Sequence, residues 1–346
     1  MFTHPQLKLN IKNLGLFFRK FSENKLKEKL AEFFSNQNII FTDSGRSAFI
    51  LAIEHLNLQN SEMLIPAYIC NIFLPILKHY NIKPIFLDID LRTFNVIISE
   101  IEQKMTPKTK SILVCHTYGL LNDMDKILEI ARKYNLKIIE DCAHIFPKKL
   151  QGDCAFFSLP KFLPVVNGGM LICKNLIEVG LKKTKFKISD LIKFLRLFPF
   201  LTTFSEKFRR SYEKTNRFIE PKKPFNCSLR ILSWHLDNLE NQTKKRTELA
   251  KYFQEQLQKI GFQVSPGTTF ISALAPENIN RDELFNKLRK KNIFCSRIWH
   301  QPIILDKEKY PNSYETAQRI INFPLQNWFM EKNIDKMVKC LIASLG

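Results

Sequence analysis

Between residues 38 and 141 the chain alternates short, β-branched runs with amphipathic runs, and this alternation leaves few folds open. The spacing predicts strands at 38–41, 63–65, 84–88, 111–115 and 137–141, with helices over 48–55, 71–79, 97–104 and 123–134 between them. Parallel strands need a long crossover, and a helix supplies it. The expected class is therefore α/β, with a large, mixed but mostly parallel sheet sandwiched by helices. Such sheets bind ligands beyond the carboxyl ends of their strands. Polar clusters that directly follow a strand become the candidate site residues.

The remainder divides around this core. Residues 1–36 read as an N-terminal helical segment, with Leu26, Leu30, Phe33 and Phe34 at helical spacing. Residues 37–181 form the large domain, 182–224 a basic amphipathic insertion or linker, and 225–346 a smaller C-terminal α/β domain. In that last part a long helix is expected over 229–260, strands near Gln263 and Phe270, and helices near Asp282 and Lys332. The start, Met1-Phe2-Thr3-His4-Pro5, lacks the basic and apolar regions of a signal peptide. No run of 18 apolar residues predicts a spanning helix.

Charge and cysteine narrow the partners. A net charge of +20 favours phosphate-bearing partners. No zinc-finger, basic-zipper or RNA-recognition pattern is present, so nucleic acid is not expected among them. The eight cysteines include no CxxC pair, which argues against a metal site. Several, such as Cys115 and Cys173, lie in apolar runs and read as buried free thiols in a reducing cytoplasm.

Three clusters carry chemistry. Ser44-Gly45-Arg46-Ser47 joins a strand to a helix, where free N–H groups, a close backbone approach and Arg46 suit a phosphate. The same residues would serve as an ordinary helix cap. Glu140-Asp141-Cys142-Ala143-His144 ends an apolar strand in two carboxylates. Either could hold a pyridinium N–H, cap a helix or ligate a metal. Ser158-Leu159-Pro160-Lys161 and Asn167-Gly168-Gly169 follow. Lys161 could form an imine with an aldehyde cofactor if burial or nearby charge keeps it neutral; otherwise it is one solvated lysine among many.

In order, the chain carries Ser44-Gly45-Arg46-Ser47, residues 84–95 (PIFLDIDLRTFN), Thr106-Pro107-Lys108-Thr109-Lys110 and His116-Thr117-Tyr118-Gly119. Glu140-Asp141-Cys142-Ala143-His144 and Ser158…Lys161…Gly168-Gly169 complete the series. This succession resembles the DegT/DnrJ/StrS family of pyridoxal-phosphate (PLP) enzymes of fold type I, most of them nucleotide-sugar aminotransferases. The resemblance is strongest over residues 37–175. It is weaker from 225 on, where Lys244-Lys245-Arg246 and Asn322-Phe323-Pro324-Leu325 look like the family's C-terminal domain.

The resemblance implies an aminotransferase that passes an amino group, from glutamate, to a nucleotide-linked keto-sugar for surface polysaccharide or amino-sugar biosynthesis. It implies Lys161 as the Schiff-base lysine and proton shuttle, and Asp141 at the pyridine nitrogen. Ser44, Gly45, Arg46, Ser47 and Ser158 would hold the phosphate, and His144 would lie near the ring. It also implies a homodimer in which Asn226 reaches the neighbour's cofactor. Relatives that dehydrate their sugar carry histidine in place of the lysine, so Lys161 points to transamination. The open alternatives are a non-catalytic or regulatory homologue, and a PLP enzyme for another amine or a lipid-linked substrate. The chain departs from the family in three places, one being the stretch from Asp141 to Lys161, which is shorter than usual. Ser158 and Lys161 are three residues apart where five is commoner. The position of the ring-stacking aromatic is Cys70, with Tyr68 the nearest aromatic.

Residues 182–223 match nothing in that family. They hold 13 basic and four acidic residues, a net +9, with Ile188, Leu191, Ile192, Leu195 and Phe198 as an apolar stripe that Pro199 interrupts. That combination suits either peripheral contact with an anionic membrane or packing on the protein's own core.

Overall fold

The computed structural model describes residues 20–35, 37–174, 179–197, 218–300, 306–326 and 328–345. Much of the N-terminal segment, and Phe198 and Pro199 of the basic one, lie outside the described residues.

Helix α1 (Glu23–Phe33) buries Leu26 and Leu30, and the Ser22 hydroxyl caps it by accepting from the Lys25 N–H. The chain then builds β1 (Asn38–Thr42), α2 (Gly45–His55), β2 (Glu62–Pro66), α3 (Phe73–His79), β3 (Lys83–Leu87), α4 (Ser99–Lys104) and β4 (Thr109–Cys115). These are followed by α5 (Met124–Tyr134), β5 (Lys137–Asp141), β6 (Cys154–Ser158) and β7 (Gly169–Cys173). The seven strands form one sheet in the order β1-β7-β6-β5-β4-β2-β3. Only β7 runs against the others, pairing antiparallel with β6 and β1. The carboxyl ends of β1, β4, β5 and β6 therefore share one edge with the start of β7.

Side chains alternate across the sheet with period two, and each face finds its own helices. Leu113, Cys115 and Ile139 pack beneath α2 and α3, with Phe49, Ile53 and Phe73. Ile112, Val114 and Ile138 face the other way, against Ile101 of α4 and Met124 and Ile127 of α5. Ile39, Phe41, Phe157 and Ile172 continue that second face against α1 and Leu229, Ile231 and Leu232.

The register also corrects one expectation. Cys154 and Cys173 stand directly opposite each other in the β6–β7 pair and are joined as a disulfide, so these two are not free thiols. Cys70, Cys115, Cys142, Cys227, Cys295 and Cys340 are free.

Beyond the sheet come β8 (Lys182–Lys183), α6 (Ile188–Arg196) and β9 (Lys222–Lys223), with β8 and β9 paired in parallel. The lysine strand β9 touches the site edge, because the Lys222 carbonyl accepts from the Asp43 N–H at 2.7 Å. Next are α7 (Asn226–Asp237) and α8 (Leu239–Gln258). The single helix expected over 229–260 is thus two. The break falls at Asn238, whose backbone leaves the helical region and whose amide binds the Trp234 carbonyl at 2.9 Å.

A small antiparallel sheet of β10 (Gln263–Val264), β11 (Ile271–Leu274) and β12 (Ile320–Phe323) follows. It packs with α8, α9 (Arg281–Lys290) and α11 (Glu331–Leu345) around Phe253, Leu288, Phe323, Phe329 and Ile334. Helix α10 (Pro311–Arg319) docks this unit on the large sheet. Buried Asp88, just past β3, accepts from Asn312 N (3.0 Å), Ser313 N (2.8 Å) and Ser313 Oγ (2.6 Å) at its first turn. Among the described residues no helix is long and apolar enough to cross a membrane.

Candidate active site at the carboxyl edge of the large sheet

The turn after β1 opens α2 at Gly45, three residues earlier than the spacing predicts, and Ser44 is its cap. The Ser44 hydroxyl accepts from the Ser47 N–H and lies 3.1 Å from the Ser47 hydroxyl, which in turn donates to Asp43 at 2.5 Å. The cap and phosphate readings are therefore compatible: the side chain caps, while the helix start still presents backbone N–H groups. Gly169 lets β7 press against this turn. A Cβ there would sit 2.3 Å from the Ser44 carbonyl carbon and oxygen. A Cβ on Gly45 would stand 3.1 Å from that of Ser158, which brings the β6 end to the same turn. Burial raises the Asp43 carboxyl, against the Ser47 hydrogen bond and the Arg46 charge.

The two carboxylates ending β5 point to opposite faces, and their partners separate their roles. Glu140 is saturated: one oxygen accepts from Gln151 N (2.7 Å) and Gly152 N (2.5 Å), and the other lies 3.0 Å from His116 Nε2. Since His116 Nδ1 accepts from the Asn122 N–H, Nε2 is the donor to Glu140. This buried pair fastens β4 to β5. Asp141, equally buried, has one strong donor, the Ala143 N–H at 2.8 Å, and a weak one, the Cys115 thiol at 3.7 Å. Burial pushes its carboxyl above the ordinary 3.8, against the pull of the Lys161 charge. A buried carboxylate with spare acceptor sites calls for a cationic or N–H partner.

Lys161 closes the short 3₁₀ turn Leu159–Lys161 after β6, and its Nζ lies 3.0 Å from His144 Nε2. Burial, then the Lys161 charge, holds His144 well below 6.5, so the ring is neutral. Its Nδ1 accepts from the Tyr118 N–H, which places the proton on Nε2. The contact is then a hydrogen bond when the Lys161 amine offers its lone pair, the form in which a lysine acts as nucleophile or base.

Tyr68, just past the carboxyl end of β2, is fully buried in the aromatic cluster with Tyr118 and Trp299. Its hydroxyl lies 2.5 Å from that of Tyr118 and donates to the Ile298 carbonyl at 2.8 Å. Asn226 is exposed at the start of α7. Buried Asn167 ties the start of that helix to the turn before β7, accepting from Phe225 N and Ser228 Oγ, both at 3.1 Å. Residues beyond the three sequence clusters also reach the site. Tyr118, in the left-handed region at φ 56°, stacks on His144, and the Thr269 hydroxyl binds the His144 carbonyl. Trp299 lies with its ring centre 6.0 Å from Lys161 Nζ. The motif after β4 hints at Tyr118; nothing local marks Thr269 or Trp299.

Known proteins resemble this chain in sequence and in fold. The chain is 27% identical over 330 residues to the dTDP-4-amino-4,6-dideoxy-D-glucose transaminase of Shigella dysenteriae, covering 87% of this chain and 84% of that one. Its fold matches an aminotransferase from Psychrobacter cryohalolentis with a TM-score of 0.74 at 16% identity, over 99% of each chain. It matches the Escherichia coli GDP-4-keto-6-deoxy-D-mannose-3-dehydratase, solved with bound hydrated PLP, with a TM-score of 0.74 at 17% identity, over 99% of this chain and 100% of that one. The model of the DegT/DnrJ/EryC1/StrS aminotransferase family matches residues 17–342, from before the first strand to within the last helix, and the chain belongs to that family.

Proposed function

We propose that the chain is a PLP-dependent aminotransferase that carries an amino group from an amino-acid donor, glutamate, to a nucleotide-linked keto-sugar in surface polysaccharide or amino-sugar biosynthesis. The observation that carries this reading is Asp141: a buried carboxylate with acceptor capacity to spare, on the same edge as a lysine and a helix-opening turn. These residues fit the cofactor's three demands. Asp141 would take the ring N–H, Ser44, Gly45, Arg46, Ser47 and Ser158 the phosphate, and Lys161 the aldehyde carbon. When bound, the cofactor supplies an electron sink. With it in place, Lys161 would move the proton at the substrate carbon, and His144 would keep the amine oriented through Nε2.

The purified protein should show an absorbance band that borohydride shifts, and Lys161→Ala should lack it and lose at least about 1,000-fold in rate. Turnover of the pyridoxamine form against a panel of nucleotide-linked keto-sugars identifies the acceptor. A protein that never takes up PLP would end this reading.

The chain is proposed to act as a cytoplasmic homodimer, with residues 37–181 holding the cofactor and Asn226 facing the partner's. Mixing inactive Lys161→Ala with inactive Asn226→Ala should then restore activity, because one site of each hybrid is intact. Residues 182–223 are proposed to rest on an anionic bilayer. Phe186 and Ile188 are 64% and 83% exposed beside Lys182, Lys183, Lys185 and Lys187. Apolar groups within a cationic surround match an anionic headgroup layer. The protein should sediment with phosphatidylglycerol vesicles at low salt, and a Phe186→Ser, Ile188→Ser variant should not. If that variant instead splits the dimer and still binds vesicles, the patch belongs to the subunit interface.

A further inference from the structure

Trp299 has an unusual backbone and an unusual address. Its φ is +55°, in the left-handed region that large side chains avoid. Its flanks are fastened to the small sheet. Ser296 bridges Asn322, Ile298 N donates to the Asn322 side chain at 2.8 Å, and Arg297 pairs with Asp282 at 2.5 Å while lying 4.4 Å over the Phe285 ring. The indole packs on the buried cluster of Tyr68, Tyr118, Phe270, Leu274 and Ile320, where the small sheet meets the large one, and reaches the site from there. Strain held between firm anchors is the pattern of a position kept for function rather than packing.

The indole lies nearly parallel to His144 (5.4 Å between ring centres, 26°) and Tyr118 (6.0 Å, 22°), edge-on to Tyr68 (5.2 Å), and 6.0 Å from Lys161 Nζ. His144, Tyr118 and Tyr68 are buried; Trp299 is only partly so. It thus keeps part of its surface accessible, with its ring centre 6.0 Å from the Lys161 amine. It also comes from the small sheet, whereas the residues assigned to the ring nitrogen, the phosphate and the aldehyde, Asn226 aside, follow strands of the large one.

We propose that Trp299 is the platform on which the pyranose ring of the acceptor lies, and so determines specificity for a sugar over a small oxo-acid. A pyranose presents a flat face of C–H groups that suits an indole. A dicarboxylate such as glutamate has no such face and gains little from one. This inference rests on the keto-sugar reading above.

The two half-reactions separate the roles. Trp299→Ala should leave conversion by glutamate within roughly threefold of wild type, and lower the second-order constant with the keto-sugar by roughly 30-fold or more. Trp299→Phe, which keeps a ring, should recover most of that loss. In a Trp234→Phe, Trp328→Phe background, the sugar nucleotide should quench the remaining emission. Equal losses in both half-reactions, with a lowered Tm, would make Trp299 a structural wedge and overturn the proposal, as would unchanged sugar kinetics or unquenched emission. If wild type reacts with no keto-sugar, the functional reading itself fails, and the platform with it.

Discussion

At the scale of single residues, adjacent Glu140 and Asp141 show how partners divide labour between like groups. Glu140 is a fully bonded structural acid, while Asp141 is buried with capacity to spare. The cost of that burial is measurable. Because the folded Asp141 pKa lies above the ordinary 3.8, the folded chain holds a proton that the unfolded chain has lost. Stability therefore falls as pH rises through that window, and the penalty persists at neutral pH. Asp141→Asn in cofactor-free protein should raise Tm at pH 7, by about 2 °C for each kcal/mol regained, yet lose at least about 100-fold in transamination for want of a charged ring partner. Calorimetry from pH 4 to 8 should show the gap between variant and wild type widen and then level; a flat gap would contradict the assignment. His144 has the opposite slope. Its folded pKa is well below 6.5, so below about pH 6.5 the unfolded chain takes up a proton that the native ring refuses, and stability falls with falling pH. Melts of His144→Gln should lack that share of the acid loss.

At the scale of elements, what can be read in the sequence is what short-range chemistry determines. Strands β1 to β5 announce themselves because each is a short β-branched run between turns, and the site turns follow from them. The Cys154–Cys173 pair is not readable, since it depends on the register between β6 and β7. The break at Asn238 interrupts an otherwise continuous helical pattern. Trp299 reaches Lys161 only because the small sheet docks on the large one, a contact without local signature. Part of that docking rests on Asp88, which satisfies the opening N–H groups of α10 across the two units. Asp88→Ala should cost about 1–3 kcal/mol, read as a lower denaturant midpoint, and Asp88→Asn should cost less. Gly169→Ala tests the other contact between elements. Its Cβ collides with the Ser44 backbone, a clash no rotamer relieves, so the β1–α2 turn must move. PLP affinity should fall before stability does, because the turn is the proposed phosphate seat.

At the scale of the whole molecule, the net charge of +20 is the largest fact without a local address. A basic protein raises the local concentration of anions and speeds their encounter, and salt removes that advantage. The screening length falls from about 10 Å at 0.1 M to about 3 Å at 1 M. The two proposed substrates differ in charge, since a sugar nucleotide carries its diphosphate and glutamate a net single negative charge. If the field of the chain serves the acceptor, the second-order constants of both half-reactions should fall with ionic strength, and that for the nucleotide-sugar more steeply. Stopped-flow measurement of each half-reaction between 0.05 and about 0.5 M salt, a range over which screening passes from partial to nearly complete, gives the two slopes from one preparation. Equal slopes would mean that the charge does not single out the diphosphate, and would shift its role to the exposed lysines beside Phe186 and Ile188. Vesicle binding should then carry the salt dependence that catalysis lacks.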